Sequence, residues 1–89
     1  MVTLHPKLAP VHAARARILF ELKRNDEALQ EMNVALKLDA GNSNYYLARA
    51  AVLKRLGRDR EALADTQKSC GMDNKLACMS LKRAAQGAR

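Results

Sequence analysis

The 89 residues contain no tryptophan and only three aromatic side chains, Phe20, Tyr45 and Tyr46. None of the three is interleaved with a dense basic run, so the chain lacks the stacking platform that single-stranded nucleic-acid binders use. No stretch approaches the roughly 20 consecutive apolar residues needed to cross a bilayer, which argues against membrane insertion. Pro6, Pro10 and Arg15 interrupt the first residues, which do not read as a secretory signal. The four glycines form no phosphate-cradling loop, and no nucleophile motif or clustered carboxylate pair is present. His5 and His12 lack metal-ligand spacing with Cys70 and Cys78. These absences leave no candidate catalytic residue, metal site or cofactor. The expectation is a binding or structural protein, not an enzyme.

What the chain does contain is a repeat. Residues 9–42 laid over 43–76 give identities at Ala14/Ala48, Arg15/Arg49, Ala16/Ala50, Leu19/Leu53, Leu22/Leu56, Arg24/Arg58, Glu27/Glu61, Ala28/Ala62, Leu29/Leu63 and Asp39/Asp73. A fixed period of this size, close to that of helix-turn-helix repeats, marks a stacked array whose units are each too small to bury their own apolar face. Continued past residue 76, the same frame sets Leu81, Arg83, Ala84 and Ala85 under Leu47, Arg49, Ala50 and Ala51, the first half of a third unit. Apolar spacing inside each unit is helical, with Leu19 and Leu22 following Ala16, and with Ala28, Leu29, Met32, Ala35 and Leu36 on one face of a second helix. Asn25, Asp26 and Asp59 are candidate caps for the second helices, and Gly57 for a left-handed helix end. The reading predicts an all-α fold of about five helices near 9–23, 26–38, 43–56, 59–71 and 75–86. It is a single domain over 1–89, divided into 9–42, 43–76 and a partial unit or capping helix over 77–89.

These residues resemble the tetratricopeptide repeat. The second unit matches its signature as Tyr46-x-x-Arg49-Ala50-x-x-Leu53 followed by Ala62-x-x-x-Thr66, with Asn74 at the turn-proline position. The first reads His12-x-x-Arg15-Ala16-x-x-Leu19 and Ala28-x-x-x-Met32, with Ala40 for the proline, and the third keeps Ser80-x-x-Arg83-Ala84. Ala16, Ala28, Ala35, Ala50, Ala62 and Ser69 stand where helices must approach closely and a larger side chain would overpack. The resemblance implies antiparallel hairpins stacked as a short right-handed α-solenoid that works as a protein-protein interaction scaffold. It places Ala13, Arg17, Phe20 and Glu21, then Leu47, Ala51, Lys54 and Arg55, then Leu81 and Lys82, on a concave face that binds a partner peptide or protein. The spacing of Cys70 and Cys78 is similar to that in cysteine-rich secreted helical-repeat proteins, where a disulfide clips adjacent helices; a buried free pair in a reducing compartment is the alternative. Location follows the same fork: cytoplasmic by default, periplasmic or secreted if the disulfide forms.

Two and a half units fall short of the usual three, so the chain is expected to be part of a longer array or to self-associate as a homo-oligomer. The net charge of +7 is uneven, with +1 over 1–8, zero over 9–42, +3 over 43–76 and +3 over 77–89. A basic C-terminal half suits an acidic protein or peptide; nucleic acid is the weaker alternative for want of aromatics. Arg15, Arg49 and Arg83 form a repeating series. Glu31 and Asp65 follow the first two by sixteen residues on the second helix of the same unit, so intra-repeat pairs Arg15–Glu31 and Arg49–Asp65 are expected, leaving Arg83 free.

Overall fold

The computed structural model describes residues 8–87, with side chains described over 8–83; residues 1–7, 88 and 89 of the expected domain lie outside them. The chain is all-helical, with α1 Ala9–Glu21, α2 Asn25–Leu38, α3 Ser43–Arg55, α4 Asp59–Gly71 and α5 Lys75–Gly87. Each helix packs on the next in sequence: α1 with α2, α2 with α3, α3 with α4, and α4 with α5. The result is a thin slab of 53 × 27 × 16 Å.

Neither hairpin closes its own core. In the first, Ala16, Met32 and Ala35 form a buried cluster onto which Ala13 and Tyr45 of α3 pack. In the second, Ala50, Leu53 and Ala62 are covered by Leu29 of α2. The six small residues expected at close approaches are all buried, Ala28, Ala35 and Ser69 completely. Alanine at these positions lets helix backbones come together, and the neighbouring hairpin then supplies the large side chain.

Three helices end in the same way. After α1, the Arg24 amide donates to the Leu19 carbonyl at 2.8 Å and the Lys23 amide to the Phe20 carbonyl at 3.0 Å. Arg58 to Leu53 and Gly57 to Lys54 repeat this after α3, and Asn74 to Ser69 and Asp73 to Cys70 repeat it after α4. This Schellman pattern requires a left-handed residue. Lys23, Gly57 and Asp73 supply it, with φ of 63°, 78° and 67°. Only Gly57 adopts that conformation without steric cost. A Cβ added there would meet nothing within 4 Å. Gly57→Ala should therefore cost about 1 kcal/mol from backbone conformation alone. Lys23→Gly should gain about 0.5 kcal/mol, part of the relief being lost to the greater freedom of unfolded glycine. Chemical denaturation of both variants checks the pair, and an unchanged midpoint for Gly57→Ala would refute the strain argument.

The expected caps of α2 and α4 are corrected. The N-cap positions are Arg24 and Arg58, neither of which makes a side-chain cap bond. Asn25 already lies inside α2, and its Oδ1 is buried without a partner. Arg24 instead reaches Glu27 at 2.6 Å, and Arg58 reaches Glu61. The glutamates place negative charge over the first helical turn, where the free amides favour it. By contrast α3 is conventionally capped, Asn42 Oδ1 accepting from the amides of Asn44 at 3.0 Å and Tyr45 at 3.3 Å.

Candidate functional site

Two clefts open between the first helices of successive units. The first has a volume of about 410 Å³, with Ala13, Ala16, Arg17 and Phe20 of α1 on one wall. Asn44, Tyr45, Ala48, Ala51 and Val52 of α3 form the other, over Met32. The alanines are what make it a cleft, because they leave the space between two helices unfilled.

The second cleft, about 830 Å³, is the first moved along by one unit. Leu47, Ala50, Ala51, Lys54 and Thr66 stand one full period after Ala13, Ala16, Arg17, Phe20 and Met32. The facing wall breaks the period: Leu76, Ser80 and Arg83 of α5 occupy the places of Asn44, Ala48 and Ala51, an offset two residues short of it. Burial agrees, since Ala77 is fully buried as the counterpart of the packed Tyr45, whereas Met79, which the repeat frame sets there, is 55% exposed. The frame expected for the third unit is therefore corrected by two residues. One outcome is a change of polarity: Phe20 gives way to Lys54 and Ala51 to Arg83, with Asp59 also on the lining.

The expected concave-face residues divide as follows. Ala13, Arg17 and Phe20 line the first cleft, Leu47, Lys54 and Leu81 the second, and Ala51 both. Glu21 lines neither and lies 3.5 Å from Arg17 across one helical turn. Lys82 is exposed and outside both linings. Arg55 is committed internally, its guanidinium carbon 3.7 Å from the centre of the Phe20 ring and its Nη1 donating to the Phe20 carbonyl at 2.8 Å. That contact ties the C-terminal ends of α1 and α3. The expected concave face left out Tyr45 and Ala48, and also Leu76 and Met79, which the sequence offers only as uncovered apolar residues of the last helix; Tyr45 was overshadowed by Tyr46, the residue on the signature position.

The arginine series resolves into one pair of the two expected. Arg49 Nε and Nη2 donate to Asp65 at 2.7 and 2.8 Å, and Nη1 donates to Asn33 Oδ1 at 3.0 Å, linking three helices. Hydrogen bonding to buried Asp65 raises the Arg49 pKa above its ordinary value, against the opposing effect of burial. The ring of Tyr46 completes the cluster, 5.7 Å from the Arg49 guanidinium carbon. In the first unit Arg15 is exposed and makes no ion pair with Glu31, because His12 Nδ1 takes that carboxylate at 2.7 Å. Arg83 is exposed and outside every ion pair among the described residues.

At the α4–α5 turn the sulfurs of Cys70 and Cys78 are bonded, with the Cα atoms 4.7 Å apart. Asn74 organises the same turn: its Oδ1 accepts from the Ala77 amide at 3.2 Å, and its Nδ2 donates to Ser43 Oγ at 3.2 Å and Asn44 Oδ1 at 2.9 Å. Nearby, buried Ser69 donates to the Ser43 carbonyl at 2.8 Å. Asn74 thus caps α5 and docks it against the start of α3.

No helix among the described residues is long and apolar enough to cross a membrane. Over 72 residues, 81% of this chain, the sequence is 31% identical to a TPR repeat-containing thioredoxin of Arabidopsis thaliana. The chain spans 19% of that protein's length. No family model matches the chain, and no solved structure matches it. The likeness to a protein carrying tetratricopeptide repeats and the five-helix array of consecutively packed hairpins fit one another.

Proposed function

We propose that the chain is a tetratricopeptide-repeat module that holds a segment of another protein along the clefts between its first helices. The observation that carries this reading is the recurrence of one cleft in two successive units, sharing Ala51 as a common wall. Two like openings in line suit a peptide that inserts side chains at a regular interval. An apolar first cleft and a second with Lys54 and Arg83 suit a segment with an apolar anchor beside an acidic one. A second copy of this chain is a poorer occupant, because each copy brings the same net charge of +7.

Ala51 is the point to test. It is exposed, so Ala51→Glu leaves the core intact while placing bulk and negative charge in both openings. Affinity capture from native extract, compared across variants, should recover a partner with the parent chain and with Arg60→Glu, a charge change outside both clefts. Recovery should fall at least roughly tenfold, about 1.4 kcal/mol, with Ala51→Glu. Equal recovery by Ala51→Glu and the parent chain would remove the clefts from the interaction.

A further inference from the structure

Helix α5 packs along α4, but the hydrogen bonds, the covalent bond and the fully buried side chain that fix its described part all fall in its first turn. Ala77 is its one fully buried residue among those described, Asn74 holds the turn to Ser43 and Asn44, and Cys78 is bonded to Cys70. Further along, Met79, Ser80, Lys82 and Arg83 are exposed and Leu81 is half-buried. Helix α3 is fixed along its whole length, by Tyr45 in the neighbouring core, by Arg49 to Asn33, by buried Val52, and by Arg55 to the Phe20 carbonyl. No such contact secures the described part of α5 beyond its first turn. Yet α5 alone supplies the far wall of the second cleft, through Leu76, Met79, Ser80 and Arg83. The first cleft draws nothing from it.

We propose that the Cys70–Cys78 bond is a redox latch: oxidised, it holds α5 against α4 and completes the second cleft; reduced, it releases α5 and opens that cleft while the first stays formed. The co-reactant is a dithiol. One of its thiolates attacks one cysteine sulfur, breaking the Cys70–Cys78 bond and releasing the other cysteine as a thiolate; its second thiolate then attacks the first, breaking the mixed disulfide and releasing the attacked cysteine. Two electrons pass to the protein, Cys70 and Cys78 leave as thiols after protonation, and the dithiol becomes a cyclic disulfide. Both cysteines are half-buried residues at the turn, not members of the fully buried core. Because the bond closes only the eight-residue separation between α4 and α5, its loss bears first on their junction, and reaches α3 only at its start, where Ser69 and Asn74 bond Ser43 and Asn44. This inference concerns the position of α5 and stands whether or not the clefts bind a peptide.

Hydrogen exchange resolved along the full chain tests it, with dithiothreitol as the dithiol and Cys78→Ser as a variant that cannot re-form the bond. Reduction should speed exchange in α5 by roughly 50-fold, the factor corresponding to loop closure over so short a ring. Protection in α1 to α3 should stay within about twofold, and Cys78→Ser in air should match the reduced parent chain. Unchanged α5 protection after reduction would show that the non-covalent contacts suffice and would end the proposal. Equal loss of protection in all five helices would also end it, by making the bond a general staple. So would thiol titration that finds both cysteines free in the air-oxidised protein.

Discussion

Arg49→Ala should destabilise the protein by about 3 kcal/mol, whereas Arg15→Ala, at the same position one unit earlier, should change stability by less than about 0.5 kcal/mol. The contrast follows from what each guanidinium touches. Arg49 makes a two-bonded contact to Asp65, which is 7% exposed, and removing the arginine leaves a buried carboxylate without its counter-charge. The Arg49 side chain is 25% exposed, so water softens the loss. That holds the figure to the low end for a broken buried pair. Arg15 has no carboxylate to abandon. Arg49→Lys should restore only part of the loss, because a single ammonium cannot reproduce the paired geometry. The pH dependence has a definite sign. The folded pKa of Arg49 is raised, so its contribution is fully present below the unfolded pKa and is lost only as pH rises through the folded value, at strongly alkaline pH. Urea midpoints of the three variants measure the effect. Equal costs for Arg15→Ala and Arg49→Ala would mean that the ion pair does not set it.

Met32→Ala should have an effect of similar size for an unrelated reason. Met32 is 2% exposed and lies among Ala16 and Ala35, with Ala13 and Tyr45 against the same cluster. The alanines on close-packed backbones cannot move in to fill the space, and Tyr45 is held by α3, so the cavity persists and the loss should be about 3 kcal/mol. For a domain of this size that lowers the thermal midpoint by roughly 12–24 °C. Leu22→Ala is the matched control, since that residue is 61% exposed. Its truncation should be nearly neutral. A Met32→Ala midpoint within about 3 °C of the parent chain would mean that the first core collapses around the gap, contrary to the packing argument.

The five helices were legible because their limits are written in local chemistry. Gly57 marks a left-handed end and small residues at fixed spacing mark where helices meet, whereas the caps expected at Asn25, Asp26 and Asp59 fell inside the helices and the Asn42 cap went unread. The register of α5 was not legible, and Asp39 and Asp73 show why. They are an identity of the repeat alignment, yet Asp39 has φ of −143° and Asp73 has φ of 67°. The same residue type serves two turn geometries, and the second starts the next helix two residues early. A one-dimensional frame records residue identity and not backbone hand. The candidate site inherits this: Ala13, Arg17, Phe20, Leu47, Ala51 and Lys54 follow from the period, whereas Tyr45, Ala48 and all of the α5 wall but Leu81 had to be seen. The Arg15 pairing failed for a related reason. The sixteen-residue offset does not fix which α1 side chain meets Glu31, and the His12 ring takes it.

The order of helix contacts also bears on how the chain acquires its structure. Each helix packs mainly on its sequence neighbour, so every stage of assembly closes only a short loop and costs little chain entropy. Either hairpin can begin the process, and the other then adds to a surface that already exists. Helical proteins built from such short-range contacts fold in microseconds to milliseconds, well before a slow search for distant partners would matter.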